Sequence, residues 1–92
     1  MITLAHFRER ETTLAFATTE EEWAKRAALH LKAELKRAEV TYEELAERLK
    51  GHGFNETKAS IANKLARATM SAHFFLASLA AIECPTVRLE EL

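Results

Sequence analysis

A stripe of polar side chains in the middle of the chain is the best candidate for chemistry. Its members follow one another at steps of four, three, one and three residues, which brings them onto one face of an α-helix. Apolar Ile61 and Leu65 fall on the other side. A helix built in this way can pack into a core and also meet a nucleic acid. The stripe consists of Glu56, Ser60, Asn63, Lys64 and Arg67.

Other combinations of reactive residues are weak. The four histidines show no pairing at helical spacing and no metal motif with a carboxylate. A Cys84 thiol assisted by His73 is the sharpest enzymatic alternative, but a buried structural cysteine is the ordinary case. Carboxylates lie in helix caps and on solvated faces, and no glycine-rich loop has phosphate-binding spacing. The sequence therefore predicts a protein that is not an enzyme, with no catalytic residues, metal or cofactor.

Charge is unevenly distributed along the chain. The formal net charge is −1, which excludes a generally basic nucleic-acid binder. Between Arg48 and Arg67, however, five basic residues stand against the single acid Glu56, whereas both ends of the chain are acidic. Because the local field steers partners, the basic segment is the predicted binding surface.

Composition favours an all-α fold. A chain of 92 residues suits one domain, and two glycines with one proline are too few for the turns of a sandwich or barrel. We therefore predict a compact bundle of four to five helices. A lone cysteine, the absence of an evident signal peptide and the absence of an apolar run of about 20 residues predict a cytoplasmic protein that does not enter a membrane.

Capping signals place the first two helices. The sequence TEEE at Thr19 fits a capping box with acids in the first turn, and this helix is predicted to end near Glu39 or Val40. Thr41 opens a second capping box, TYEE. Gly51 is predicted to end the second helix as a residue that can take a positive φ.

The third helix carries most of the polar stripe. Asn55 is its predicted cap, and the helix is expected to run to Arg67 or Ala68. Ser71 caps the fourth helix, which is apolar in nearly every direction, and Pro85 prevents it from continuing. A helix of this kind in a small domain is either central to the core or shared with a partner.

The chain divides into an N-terminal arm over residues 1–18, a helical domain over 19–84 and a tail over 85–92. The arm fits short extended segments or one helix, and either hangs loosely or packs on the domain or on a second copy. In the tail, alternating Val87 and Leu89 indicate a short strand, which would pair with the arm.

The order of these elements resembles the helix-turn-helix of the lambda-repressor-like (Cro and Xre type) DNA-binding domains. The segment LKAELKRAEVTYEELAERL resembles the first two helices of that family, and Ile61 in ASIANKLAR stands at a core position of its recognition helix. More closely, residues 23–84 resemble a family of small, uncharacterised bacterial domains of that fold. This chain departs from the pattern at Tyr42, where the family usually has glutamine, and in its longer turn, GHGFNE.

The resemblance implies sequence-specific binding of double-stranded DNA by a homodimeric transcription regulator. The third helix would enter the major groove, where Asn63 would read adenine and Lys64 or Arg67 would reach guanine or phosphate. The second copy would dock through the apolar fourth helix or the terminal segments. The DNA-binding residues that the resemblance implies are Thr41, Tyr42, Arg48, Lys50, Asn55, Thr57, Lys58, Ser60, Asn63, Lys64 and Arg67.

A protein-interaction module that keeps the helix-turn-helix fold without binding DNA is the alternative. Overall acidity, two acidic ends and Tyr42 in place of glutamine favour it. The two hypotheses make opposite predictions for duplex binding at low salt.

Overall fold

The computed structural model describes residues 15–92 of the protein. In this range the chain forms four α-helices and no strand, so the predicted all-α bundle is confirmed. The helices are α1 (Glu20–Ala38), α2 (Tyr42–Lys50), α3 (Lys58–Arg67) and α4 (Ala72–Ala81). None of them combines the length and the apolar composition that a bilayer crossing requires. The arm predicted over residues 1–18 lies outside the described residues except for its last four.

Side-chain caps begin all four α-helices of the described range, and those of α1, α2 and α4 are the residues that the sequence predicts. Thr41 and Glu44 form the complete capping box, with each side chain accepting a hydrogen bond from the other residue's backbone N–H. Ser71 caps α4 by accepting from the N–H of Phe74. At α1 the box is half formed, because Thr19 accepts from the N–H of Glu22 while the Glu22 carboxylate accepts from Thr18.

The start of α3 corrects one prediction. Its cap is Thr57 and not Asn55. The Thr57 hydroxyl accepts from the N–H of Ser60 at 3.0 Å, and Ser60 Oγ accepts from the N–H of Thr57 at 2.9 Å. A serine in the position usually held by glutamate or glutamine thus closes a capping box two residues later than expected.

Helix ends correct a second prediction. Gly51 ends α2 with an ordinary φ of −69°, whereas the positive φ of 88° belongs to Gly53 in the turn. Within residues 15–92, three non-glycine residues take the left-handed conformation at helix ends: Glu39 after α1, with φ 58°, Ala68 after α3, with φ 55°, and Glu83 after α4, with φ 60°. The predicted end of the first helix at Glu39 is therefore confirmed.

The core lies where the four helices converge. Each helix contributes large side chains that are almost completely buried, each worth about 1.5–3 kcal/mol relative to exposure. Phe74 makes α4 central to this core, which is one of the two alternatives that its apolar composition left open. On the outer side of α4, however, Leu76 remains 63% exposed. The largest buried side chains are Leu31, Leu45, Leu49, Ile61, Leu65 and Phe74.

The tail does not form the predicted strand. Leu89–Glu91 form a short 3-10 helix, preceded by Arg88, whose guanidinium pairs with Glu90 and lies 3.9 Å from Glu91. Local ion pairs within consecutive residues favour this tight turn over an extended chain. Arg26 of α1 donates to the carbonyl oxygens of Ala15 and Leu92, and so joins the two ends of the described chain.

Candidate nucleic-acid interface

The candidate interface comprises α2, the turn 51–57 and α3. α2 packs directly on both α3 and α4, and the turn is anchored by Phe54. The N–H of Phe54 donates to the Leu49 carbonyl at 3.0 Å, and its ring meets Phe74 edge-on with centroids 6.2 Å apart. The orientation of α3 is therefore set by the core and not by the turn alone.

Two sides of α3 differ in how their polar groups are used. Three residues of α3, Lys58, Asn63 and Arg67, are exposed, and we name them together the open side; Asn63 and Arg67 are neighbours around the helix, whereas Lys58 lies in its first turn. Within residues 15–92 their side chains make no hydrogen bond or ion pair. Ser60 and Lys64 form the paired side, which is half-buried and engages groups of the protein itself.

Glu56 is the centre of the paired side. Its carboxylate accepts from Ser60 Oγ at 2.6 Å and from the Lys64 ammonium, which also lies 4.7 Å from the centroid of the Phe74 ring. Only 9% of the Glu56 side chain is exposed. Part of the polar stripe is thus an internal ion pair that neutralises one of its two basic residues.

The protonation of Glu56 follows from two opposing effects. Burial by itself would raise the pKa of the carboxyl group. The hydrogen bonds from Lys64 and Ser60, together with the charge of Lys64, outweigh burial and leave the pKa below its ordinary value. The ion pair therefore stays intact at neutral pH.

The predicted contacts on α2 are mostly engaged within the protein. Arg48 donates to the Ala81 carbonyl at 3.1 Å, and Lys50 pairs with Glu47 at 2.9 Å. The Thr41 hydroxyl serves as a cap, and Tyr42 packs against the core as a half-buried side chain.

The turn and cap residues complete the placement of the predicted site. Asn55 is exposed in the turn, with no side-chain hydrogen bond inside the described range. The Thr57 hydroxyl is committed to capping α3. In the described structure, most of the other predicted residues are engaged within the protein, whereas the side chains of Asn55 and of the open side make no hydrogen bond to it.

Two basic residues that the sequence analysis did not select lie beside this region. Lys25 of α1 lines the same depression as Arg67, and Lys32 follows it two turns later. Their spacing of seven residues on α1 is the signal that could have indicated a shared face. Their proximity to α3 depends on packing and cannot be seen in the sequence.

The candidate reactive pair does not form. His73 lies in the first turn of α4 and stacks on Phe54, whereas Cys84 follows the end of α4 and its thiol faces the Thr86 carbonyl at 3.5 Å. In the part of the chain that the structure describes, no group of three or more histidine, cysteine, aspartate or glutamate residues is arranged to hold a metal ion.

The fold and this region define a small all-α domain that displays a polar helix from a packed core. The chain belongs to the family described as Domain of unknown function (DUF6471), whose model matches residues 23–87. The matched range includes most of α1 and all of α2, α3 and α4. No curated protein and no solved structure matches the chain.

Proposed function

We propose that this protein binds double-stranded DNA by placing α3 in the major groove. The observation that carries the proposal is the open side of α3: Asn63 and Arg67 project from the face opposite buried Ile61 and Leu65, and Lys58 is exposed in the first turn. Asparagine can bond bidentately to adenine, and lysine or arginine to guanine or phosphate. The neighbouring exposed positions Ala59 and Ala66 are short, so they let the helix axis approach the base edges.

The surroundings of α3 suit backbone contacts that set the register of the helix. The Lys50 side chain is 58% exposed and its pair with Glu47 is a surface ion pair, which contributes about 0–1 kcal/mol and can exchange for a phosphate. Thr41, Tyr42 and Arg48 complete the proposed contacts to phosphates. Arg48 would exchange its bond to the Ala81 carbonyl for a phosphate, and the Thr41 and Tyr42 hydroxyls would donate to phosphates while Thr41 still accepts the cap bond and the Tyr42 ring stays packed.

A homodimer would strengthen this binding. Few cations are free on one copy, and non-specific affinity grows with the number of phosphates neutralised. Leu76 is 63% exposed on α4, between exposed Ala72 and Ala80, and offers an apolar contact for a second copy. We propose a homodimeric transcription regulator joined through this face.

The test is duplex binding at low salt, measured by fluorescence anisotropy. Arg67→Gln should weaken binding by roughly eightfold near 0.1 M salt, because one phosphate or guanine contact is lost. Arg37→Gln is the matched control, since Arg37 is an exposed arginine near the end of α1 that pairs with Glu34 away from α3. Wild-type protein that fails to bind duplex DNA would refute the proposal.

A protein-interaction module is the second candidate, favoured by the Glu56–Lys64 pair and by exposed Leu76. It predicts no duplex binding and a protein complex that depends on the apolar face of α4. Leu76→Glu should then abolish that complex while leaving the circular-dichroism spectrum unchanged. Arg67→Gln should leave the complex intact.

A further inference from the structure

A groove between α1 and α3 has a basic rim and an apolar floor. Its main depression encloses about 350 Å³, and a smaller one of about 200 Å³ adjoins it. The two depressions share Lys25 and Ala68, and the smaller one reaches Arg67 at the end of α3. The residues that matter to its chemistry are Lys25, Lys32, Leu29, Leu65, Ala66 and Arg67.

The basic groups of the groove are free in the described structure. Lys25, Lys32 and Arg67 are exposed, and within residues 15–92 none of them lies within ion-pair distance of a carboxylate. The one acid that lines the groove is Glu21, in the first turn of α1. The groove therefore presents a net positive rim, unlike the paired side of α3.

Spacing along α1 matches an extended anionic ligand. Lys25 and Lys32 are seven residues apart, which corresponds to about 10.5 Å along a helix and places them on the same side. A DNA strand carries one phosphate per ~3.4 Å of helix axis. The two ammonium groups would therefore reach different phosphates of one strand.

The apolar floor of the groove suits the deoxyribose sugars of a DNA backbone. Leu29 is 61% exposed, and Ala66 is also exposed beside it. Deoxyribose rings offer carbon-rich surface between the phosphates, which can pack on such side chains. Charged rim and apolar floor thus correspond to phosphate and sugar.

We propose that this groove holds the sugar–phosphate backbone of the DNA whose major groove receives α3. Lys25, Lys32 and Arg67 contact phosphates, and Leu29 packs on the sugars. The assignment rests on the proposed function, and Arg67 links the two surfaces because it belongs to the open side of α3 and to the groove. The DNA interface thereby extends from α2 and α3 onto α1.

The deciding experiment is a salt series of anisotropy titrations with a labelled duplex of mixed sequence. The double variant Lys25→Gln/Lys32→Gln should lower the slope of log affinity against log salt by about 1.8, and affinity near 0.1 M salt by roughly 60-fold. The control Arg37→Gln/Arg88→Gln removes the same charge from exposed arginines outside the groove and should bind within about twofold of wild type. Thermal melting checks that both double variants fold.

The outcomes separate this assignment from the proposed function. Wild-type slope in the Lys25/Lys32 variant, with weakened binding by Asn63→Ala, would refute the groove and leave DNA binding by α3 standing. A weakened Lys25/Lys32 variant with unchanged Asn63→Ala would keep backbone binding in the groove and refute base reading by α3, and Arg67→Gln, which belongs to both surfaces, should be weakened if either assignment holds. If the Lys25/Lys32 variant loses binding to polyglutamate as strongly as it loses binding to the duplex, the groove is a surface for acidic polypeptides and the DNA assignment is overturned. If the wild-type protein does not bind the duplex, both the groove assignment and the proposed function are refuted.

Discussion

The polar side chains on the two sides of α3 differ in their contacts, although most of them belong to the same polar stripe in the sequence. On the paired side, Lys64 forms an ion pair with Glu56, which precedes the helix, and its charge is neutralised. On the open side, Lys58, Asn63 and Arg67 keep their hydrogen-bonding groups available within the described structure. A polar stripe at helical spacing therefore overestimates the surface that is free for a ligand. The residues that precede the helix can contact the stripe and occupy its polar groups, as Glu56 does here.

The largest expected effect comes from breaking the paired side. Lys64→Met keeps a long unbranched side chain but removes the ammonium that pairs with the nearly buried Glu56 carboxylate and lies over the Phe74 ring. We expect a loss of about 2 kcal/mol in the free energy of unfolding, measured by urea denaturation. Lys58→Met on the open side is the matched control and should change stability by less than about 0.5 kcal/mol. Equal losses in both variants would show that the two sides do not differ.

Binding should show the reverse order. Arg67→Gln on the open side is expected to weaken duplex binding by roughly eightfold near 0.1 M salt. Lys64→Gln should change the affinity of the folded protein by less than about threefold, since its charge is already neutralised by Glu56. Titrations at a temperature where both variants are fully folded separate the two effects. A greater loss from Lys64→Gln would mean that Lys64 leaves Glu56 to contact DNA.

A third prediction concerns the residue that caps α3, next to the paired side. Thr57→Ala removes the side-chain acceptor of the helix and should cost about 1 kcal/mol in thermal or urea unfolding. Asn55→Ala, at the position that the sequence favoured, should have an effect close to zero. A larger cost for Asn55→Ala would restore the earlier start of the helix.

The smallest effect is a pH dependence that comes from the paired side. Because the folded-state pKa of Glu56 lies below its ordinary value, the ion pair contributes stability above the unfolded-state pKa. That contribution is lost as the pH falls from the ordinary value through the folded pKa. Glu56→Gln should therefore flatten this part of the acid limb relative to wild type in urea titrations. A parallel curve for Glu56→Gln would contradict the assignment.

Local sequence was sufficient for much of the fold. Thr41 with Glu44 and Ser71 with the following N–H groups cap their helices over three residues, so the signals could be seen without tertiary information. The apolar positions Leu45, Leu49 and Ile61 lie on helical faces that had to be buried. These features depend on backbone geometry that repeats along the chain.

Competing local signals explain the errors. Asn55 and Thr57 are both good cap residues, and the choice depended on Ser60 completing the bond to Thr57. Gly51 and Gly53 stand two residues apart, and the position of the left-handed residue depended on how Phe54 anchors the turn to Leu49 and Phe74. In the tail, the alternation of Val87 and Leu89 indicated a strand, but Leu89–Glu91 form a 3-10 helix that brings Glu90 and Glu91 close to Arg88.

Sequence alone was enough to predict the all-α class and the buried faces of α2 and α3. Those properties follow from hydrophobic periodicity and capping, which act within a few residues. Two features could be seen only in the tertiary structure: Glu56 forms an ion pair with Lys64, and Lys25 and Lys32 line a groove beside Arg67. Such charge relations join residues on different elements, so they depend on the packing of helices and not on spacing along one of them.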